Sequence, residues 1–535
     1  MNRYDDDDDR IEHKVDEILD KVKQKGRRGI AKVVYGRSIM IVLLILFQLF
    51  YFYFLLLKYQ KYTIYFYTGV SLISIAGVLL IVNEQINPMY KIAWIIPVVA
   101  LPVFGTGLYF FIRFQPGPKL MRRKMDTVAG NLKKYVSSDT DVEKSLKEKS
   151  KDAYNTSRYL NSTVNFPVYH DSTTEYFSCG EKMFKRLLIE LEKAKDFIFI
   201  EYFIIEHGIM WDAILEILKA KAKEGVEIRV MYDGTCNFKL LPYSYPKKLK
   251  EFGINARIFS PLKPVLSIHQ NNRDHRKIVV IDGKTAFTGG INLADEYINE
   301  VVKFGYWKDT AVMIKGSAVN SFTNMFLQMW SVNEKNPDIE LSRYFPCEKQ
   351  ENQKGYVIPY ADTPLDHVNT GEQVYLDIIN QAVDYVYIMT PYLILDNEMM
   401  NALKSSAKRG VDVRIIMPHI PDKKFVFALG RSFYTELLNA GVKIYEFVPG
   451  FVHAKVFLSD NAKAVVGTIN LDYRSLFLHF ECACYMYDTE CIETIYADFE
   501  ETFDKCMPVT NDYYKKTSLL MRFIGRFLRL IAPMM

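Results

Sequence analysis

The feature that most constrains the fold of this chain is an internal repeat. Gly225-Val-Glu-Ile-Arg-Val is matched by Gly410-Val-Asp-Val-Arg-Ile, and Gly253-Ile-Asn-Ala-Arg-Ile-Phe is matched by Gly441-Val-Lys-Ile-Tyr-Glu-Phe. In this part of the chain short strand-like runs alternate with helical stretches, which is typical of an α/β fold with a sheet covered on both faces. The repeat therefore predicts two α/β halves, which we expect to pack about a pseudo-twofold axis.

Each copy of the repeat is followed by the same constellation, His-x-Lys-x4-Asp-x6-Gly-x2-Asn. Residues i and i+2 of an extended strand project to one face, so the His and the Lys of each motif should point together. If the halves pack with pseudo-twofold symmetry, both pairs meet in one pocket, where two imidazoles and two ammonium groups suit a phosphate. The predicted catalytic residues are His275, Lys277, Asp282, His453, Lys455 and Asp460, and each motif also contains Gly289 and Asn292 or Gly467 and Asn470.

Two histidines in one phosphate pocket suggest divided roles. One, neutral, attacks phosphorus, while the other donates a proton to the leaving oxygen and later accepts one from an alcohol. Each imidazole needs an orienting carboxylate, and Asp309 and Glu481 lie at equivalent strand starts downstream of the motifs. Asn292 and Asn470 are predicted to support the site. No acidic cluster or histidine ligand set is visible in the sequence, so we predict no metal and no cofactor.

Three uncharged apolar stretches, at about 38–57, 63–82 and 92–112, predict a membrane region at 38–112. An acidic and basic tail, 1–37, precedes it. Basic residues flank both ends of the region, so the positive-inside rule would place both flanks in the cytoplasm. Three full spans would instead place the two flanks on opposite sides of the membrane. Either one segment is re-entrant or interfacial, or one flank departs from the positive-inside rule. We expect a multi-pass cell-membrane protein with a cytoplasmic catalytic region.

The remaining boundaries follow from the same patterns. A linker is predicted at 113–165, the two halves at 166–345 and 346–515, and a basic amphipathic helix at 516–535. In that helix Arg522, Arg526 and Arg529 stand at helical spacing among apolar residues. Such a helix is typical of an interfacial element drawn to anionic lipid, and the alternative is a helix docked on the protein.

At these residues the chain resembles the phospholipase D superfamily, and within it the bacterial-type cardiolipin synthases. The resemblance covers roughly residues 83–535 and includes Trp307-Lys-Asp-Thr and Gly450-Phe-Val-His-Ala-Lys. It implies two phospholipase D-like α/β sandwich halves that transfer a phosphatidyl group between two phosphatidylglycerol molecules, giving cardiolipin and glycerol. It also implies a covalent phosphohistidine, with His275 as nucleophile and His453 as general acid and base. His479 departs from the pattern, since the second half often has Asn there.

The alternatives share the pocket chemistry and differ in the acceptor. A lipid hydrolase, or a phosphatidyltransferase that uses another alcohol, would need the same residues. A nuclease is disfavoured because the net charge is only +5 and no basic run lies near the motifs, so no nucleic-acid partner is expected. A non-catalytic scaffold would not need both motifs intact. The expected partners are phosphatidylglycerol, other anionic phospholipids and the membrane.

Overall fold

The computed structural model describes residues 41–53, 60–114, 117–262, 270–332, 341–346, 353–366, 368–515 and 518–534. The chain divides into two compact units, one of residues 1–115 with 263–270 and the other of residues 116–262 with 271–535. The predicted tail at 1–37 lies outside the described residues.

The first unit is helical. Residues 41–53 form a helix, and α1 (Gln60–Val82), α2 (Pro88–Ala100) and α3 (Pro102–Arg113) follow. The stretch predicted as one span at 92–112 is divided at Leu101, because Pro102 starts a new helix. A Cβ atom on Gly105 would lie 2.1 Å from the carbonyl oxygen of Pro97, so the glycine lets α3 turn back closely against α2.

The outer side of α1 is apolar. Leu72, Ile73, Ile75 and Leu79 are each more than half exposed. Among the residues that the structure describes, no helix combines the length and the apolar character needed to cross a membrane.

The segment predicted as a linker at 113–165 is mostly helical in the second unit. It contains α4 (Gly117–Leu132), α5 (Thr140–Lys149) and α6 (Lys151–Val164). These helices bond to the second half of the repeat, since Ser145 hydrogen-bonds to Tyr356 at 2.6 Å and Thr156 donates to Asp377 at 3.3 Å. The segment is therefore part of the folded catalytic unit.

The first half of the repeat is a mixed seven-stranded sheet with strand order β1-β8-β6-β5-β2-β3-β4. Its elements are β1 (Ser172–Phe177), α7 (Gly180–Glu192), β2 (Phe197–Tyr202), α8 (Ile209–Lys223), β3 (Glu227–Asp233), α9 (Cys236–Lys239), α10 (Tyr245–Glu251), β4 (Asn255–Phe259), β5 (Lys277–Ile281), β6 (Thr285–Gly289), β7 (Tyr306–Lys308), β8 (Ala311–Gly316) and α11 (Val319–Ser331), with β7 outside the sheet.

The second half repeats this order as β9-β16-β15-β14-β10-β11-β12 and adds β17 at the far edge. The matching order confirms the predicted duplication. Its elements are β9 (Tyr356–Asp362), α12 (Thr370–Gln381), β10 (Tyr385–Met389), α13 (Asn397–Lys408), β11 (Asp412–Pro418), α14 (Lys424–Arg431), α15 (Tyr434–Asn439), β12 (Lys443–Phe447), β13 (Gly450–Val452), β14 (Val456–Ser459), β15 (Lys463–Gly467), α16 (Tyr473–Phe477), β16 (Glu481–Tyr487), α17 (Cys491–Phe503), β17 (Cys506–Pro508), α18 (Asn511–Lys515) and α19 (Leu519–Leu528).

The motif strands lie at the centre of each sheet. Every residue of β5 and of β14 is buried, as expected of apolar strands covered on both faces. Lys277 is the first residue of β5, and Lys455 directly precedes β14. The two apolar strands thus fix two lysines deep in the protein.

Candidate active site

The two halves cross where the motifs begin. Strand β13 pairs in parallel with β7 of the other half, and Val452 stands opposite Lys308. The backbone N–H of His453 then donates to the carbonyl oxygen of Lys308 at 2.7 Å. This register places His453 beside Asp309, the next residue of the opposing segment.

The same crossing occurs at the first motif. Asp274 bridges in parallel to Phe480, and the backbone N–H of His275 donates to the carbonyl oxygen of Phe480 at 2.9 Å. His275 therefore lies beside Glu481. The two crossings have the same register, as expected if the halves are related by a pseudo-twofold axis.

Each histidine is bonded to a carboxylate from the opposite half. His453 Nδ1 lies 2.6 Å from Asp309 Oδ2. His275 Nδ1 lies 2.9 and 3.0 Å from the two carboxylate oxygens of Glu481. Both carboxylates are fully buried, so this contact fixes each ring and leaves its Nε2 for the pocket. Neither motif histidine therefore takes its orienting carboxylate from its own half.

The motif lysines lie beside the histidines. Lys277 Nζ donates to the carbonyl oxygen of His275 at 2.7 Å. Lys455 Nζ donates to the carbonyl oxygen of His453 and lies 2.8 Å from its Nδ1. Burial lowers the pKa of Lys277 to about 8 and that of Lys455 to about 7, although Asp309 and Glu481 oppose the change. Lys277 also lowers the pKa of Lys455 and of His453, so both motifs act on one pocket.

The pocket disfavours positive charge when no anion is bound. Burial lowers the pKa of His275 to about 3 and takes the pKa of His453 well below its usual range, where Lys455 and Lys277 add to the effect. Burial raises the pKa of Asp309 to about 7. The pKa of Glu481 is lowered although its burial acts in the other direction, because His275 and His479 stabilise its charge. A bound phosphate would relieve the repulsion among the lysines and imidazoles.

The carboxylates of Asp282 and Asp460 bond to backbone N–H groups of neighbouring strands, and their catalytic role stays a prediction. Asp282 directly follows β5, five residues from Lys277, or about 16 Å along an extended strand. Its carboxylate accepts three backbone N–H bonds at 2.8–2.9 Å from residues 195–197. Asp460 does the same for residues 383–385 at 2.9–3.0 Å. Both have positive φ, +52° and +53°, and fasten a turn to the start of a neighbouring strand.

We expect Asp282→Ala to lower the free energy of unfolding by about 1–3 kcal/mol, because a buried N–H of β2 loses its acceptor. Turnover per folded molecule should change little. Denaturant unfolding in detergent and kcat measured on the folded fraction test this. Asp282→Asn, which tolerates positive φ and keeps one acceptor oxygen, is the matched control. A large loss of kcat without a loss of stability would support a catalytic role for Asp282.

The motif asparagines and glycines shape the surroundings. Asn292 accepts from the backbone N–H of Ile204 at 3.1 Å and donates to Tyr297 at 2.8 Å, whereas Oδ1 of Asn470 is buried and has no hydrogen-bond partner in the part of the chain that the structure describes. Gly289 has φ +153°, and a Cβ there would lie 2.4 Å from a carbonyl oxygen of the segment leading into β8. At Gly467 a Cβ would lie 2.4 Å from the Cβ of Ala483.

Several pocket residues were not predicted from the sequence. The ring of Trp307 lies 5.5 Å from that of His453, and the ring of His479 lies 5.5 Å from that of His275. Both stand two residues before an orienting carboxylate, and that shared offset was the available signal. Thr468 donates a hydrogen bond to Glu481.

His275, His479 and Glu481 place potential metal-ligand atoms within 4.8 Å of one another. No spacing in the sequence indicated this set. His479 is 9% exposed, and neither ring nitrogen has a hydrogen-bond partner among the described residues. His275 and Glu481 are already bonded to each other, so a metal would have to displace that bond.

Comparison with known proteins identifies the family of this chain. Residues 187–330 and 375–506 match the family described as cardiolipin synthase, phospholipase D-like domain. A cardiolipin synthase of Alkalihalophilus pseudofirmus is 32% identical over 461 residues, which cover 85% of this chain and 91% of that protein. The chain belongs to the cardiolipin synthase family.

This member of the cardiolipin synthase family also matches other known proteins. Residues 71–113 match the family described as phospholipase D-nuclease N-terminal. An uncharacterized protein of Streptococcus mutans is 51% identical over 462 residues, covering 86% of this chain and all of that protein. The crystal structure of a phosphatidylserine synthase from Haemophilus influenzae has a TM-score of 0.54 at 14% identity and covers 72% of this chain and 99% of that chain. That likeness shows a shared fold.

Proposed function

We propose that this protein is a phosphatidyltransferase that joins two phosphatidylglycerol molecules into cardiolipin and releases glycerol. The two crossed histidine–carboxylate pairs, with a buried lysine beside each, carry this proposal. They offer one nucleophile, one proton carrier and two cations for a single phosphodiester. Membership of the cardiolipin synthase family supports the choice of lipid substrate.

In the first step, we assign Nε2 of His275 as the nucleophile that attacks phosphorus. The bond from phosphorus to the headgroup glycerol oxygen breaks, and protonated His453 gives its proton to that oxygen. Glycerol leaves, and a phosphatidyl group remains on His275. Glu481, bonded to Nδ1, stabilises the charge that develops on this ring.

In the second step, a hydroxyl group of another phosphatidylglycerol attacks the same phosphorus. His453 takes the proton of that hydroxyl, and the phosphorus–nitrogen bond breaks. Cardiolipin is formed and His275 is neutral again. Lys277 and Lys455 hold the phosphoryl oxygens in both steps, and the chemistry needs no metal ion.

The lipid products test this proposal directly. Purified protein in phosphatidylglycerol micelles should release one free glycerol for each cardiolipin formed. If phosphatidic acid forms instead, the protein is a phospholipase D-type hydrolase. If an added alcohol is incorporated in place of the second phosphatidylglycerol, the acceptor assignment is wrong. A sample with both motif histidines replaced by alanine gives the background.

Anion binding should draw protons into the pocket. With a pKa of about 7, Lys455 is charged below pH 7 and mostly neutral at pH 8.5, and Lys277, with a pKa of about 8, follows. Affinity for inorganic sulfate, whose own charge is constant, should therefore fall as the pH rises from 6.5 to 9. At pH 8.5 about one proton or more should be taken up on binding.

Calorimetry in buffers of different ionisation enthalpy counts these protons. Lys455→Met should remove most of the uptake between pH 7 and 8, whereas Lys404→Met, which replaces a lysine that pairs with Glu436, should leave it unchanged. Sulfate affinity that does not vary with pH would contradict the assignment of buried lysines to the anion site.

We also propose that the N-terminal region, 38–112, anchors the enzyme in the cell membrane as a multi-pass segment, with the catalytic region in the cytoplasm. The exposed apolar side of α1 supports this, as does the match of residues 71–113 to an N-terminal family. The proposed domains are the tail at 1–37, this region, the segment at 113–165, the halves at 166–345 and 346–515, and the terminal helix at 516–535.

A further inference from the structure

The C-terminal helix α19 is docked on the protein along one narrow face. Gly525 is buried, and a Cβ on it would lie 2.3 Å from the carbonyl oxygen of Ala428 in α14. Only glycine allows this close approach of the two helices. Ser518 caps the start of α19 by accepting from the backbone N–H of Met521 at 3.3 Å. The helix is thus held in a fixed orientation.

This orientation turns the apolar side of α19 outward. Leu519, Leu520, Phe523 and Phe527 are 55–79% exposed, and Phe425 of the neighbouring α14 is 61% exposed. A surface helix of a globular protein normally turns its apolar stripe inward. We call these five side chains the outer apolar surface. Contiguous exposed apolar side chains of this kind mark a binding surface.

Basic side chains flank the outer apolar surface, with Asp422 3.8 Å from Lys423 and Glu436 near Arg529. Arg526 is exposed, as are Lys423 and Lys424 at the start of α14. Of the other arginines predicted to face a membrane, Arg529 instead lies 4.0 Å over the ring of Phe433 and 3.7 Å from Glu436. Arg522 is half-buried and lines a small groove of about 100 Å³ between α14 and α19. Arg526, Lys423 and Lys424 are therefore the cations placed to meet an anionic surface.

The loop that leads into α14 lies close to the catalytic centre. The loop before α14 runs beside β13, since the backbone N–H of Ile420 donates to the carbonyl oxygen of Gly450 at 3.4 Å. His453 follows Phe451 of β13 by two residues, and the rings of the two side chains lie 5.9 Å apart. The charge of Lys423 is near enough to lower the pKa of His453. A short path thus joins the surface to the histidine that we assign as proton carrier.

We propose that the outer apolar surface of α14 and α19 inserts into the anionic phospholipid leaflet from which the substrate lipid enters the pocket beside His453. The inference rests on the proposed lipid substrate. The exposed phenylalanines and leucines supply the apolar area, and Lys423, Lys424 and Arg526 meet the lipid phosphates. The outer apolar surface is therefore a second membrane contact, in addition to the N-terminal region.

Depth measurement on the full chain tests this without reference to activity. A nitroxide is attached at Phe523→Cys, in a background in which the reactive native cysteines are replaced by serine, and the protein is placed in vesicles of phosphatidylglycerol and phosphatidylcholine at 1:3. The ratio of the collision rate with oxygen to the collision rate with a water-soluble nickel complex should be several-fold higher at position 523 than at Val383→Cys, a similarly exposed position elsewhere. Equal ratios at the two positions would overturn the proposal.

Activity provides the second arm. The double variant Phe523→Asp and Phe527→Asp should lose most turnover of phosphatidylglycerol in vesicles but keep turnover of a monomeric short-chain phosphatidylglycerol. Val383→Asp should leave both unchanged. Dipolar coupling between probes at 523 would show that a second copy covers this surface, and would overturn the proposal. If no cardiolipin forms but the probe is membrane-embedded, the proposed function fails and the docking surface stands.

Discussion

Replacing His275 with alanine is expected to reduce cardiolipin formation by about 10⁴-fold or more, and His453→Ala should have an effect of similar size. His275→Ala removes the nitrogen that would bond to phosphorus, so no covalent intermediate can form. His453→Ala removes the proton carrier, which both steps need. The two variants therefore differ in one respect. Brief mixing with radiolabelled phosphatidylglycerol followed by acid-free denaturation should trap label on wild-type protein, and at a slower rate on His453→Ala, but none on His275→Ala.

His207→Ala is the matched control. His207 is half-exposed, lies in the turn before α8 and pairs with Asp212 of that helix at 2.8 Å. It should leave turnover and labelling at the wild-type level. The unfolding temperature of His207→Ala should match that of the wild type, and circular dichroism should show that the two motif variants remain folded. Label on His275→Ala at the wild-type level would assign the nucleophile elsewhere, and full turnover in either motif variant would end the paired-histidine mechanism.

Glu481→Gln is expected to lower kcat by about 10²- to 10⁴-fold with little change in KM. Both carboxylate oxygens of Glu481 lie within 3.0 Å of His275 Nδ1, so a neutral amide loses the charge and can present an N–H to that nitrogen. The ring would then expose the wrong tautomer to the pocket. Asp309→Asn should act in the same way on His453, whose Nδ1 lies 2.6 Å from that carboxylate.

The crossing of the halves makes this prediction specific. Because Glu481 acts through His275, Glu481→Gln should add almost nothing to the loss in a His275→Ala background. Glu481→Gln and Asp309→Asn should each slow both the accumulation of the labelled intermediate and the release of glycerol, because both products arise in the first step. Thr288→Val, which alters a buried hydroxyl beside Cys482, is the control for a change in the same core. Full additivity of the Glu481 and His275 losses would contradict the pairing.

The repeated motifs were sufficient to predict the architecture of the catalytic unit. The two Gly-Val-x-x-Arg segments are equivalent strands, β3 and β11, and the motif spacing sets equivalent strands β5 and β14. Alternation along a strand also placed Lys277 next to His275 correctly. These features depend on local geometry, which repeats whenever the sequence repeats.

The pairing of His275 with Glu481 depends on how two sheets meet, and no spacing within one half encodes it. The position of the motif aspartates is limited by sequence information for a related reason. The fixed spacing between Lys277 and Asp282 records the length of β5, because Lys277 begins that strand and Asp282 directly follows it, so the spacing alone does not place both residues in one pocket. The apolar run at 92–112 was predicted as one span because its hydropathy is continuous, although Pro102 within it is a sign of the division that the structure shows.

The surroundings of the α19 arginines and of His479 depend on packing that the sequence pattern does not specify. Arg526 is exposed as expected for an interfacial helix, whereas Arg529 pairs with Glu436, because docking through Gly525 decides which flank of α19 faces the protein. His479, noticed only as a departure from a family pattern, turned out to lie against His275 and near Glu481.

The exchange of carboxylates between the halves has a consequence for how such an enzyme can diversify. Two identical halves assembled as separate chains would build two identical environments around the two imidazoles. Joining them in one polypeptide frees the two environments to change independently, and here they have. Trp307 lies against one imidazole and His479 against the other, while the short Asp309 faces Gly290 and the longer Glu481 receives a hydroxyl from Thr468. The fused chain can thus tune the attacking ring and the proton-carrying ring separately while each still depends on the other half for its partner.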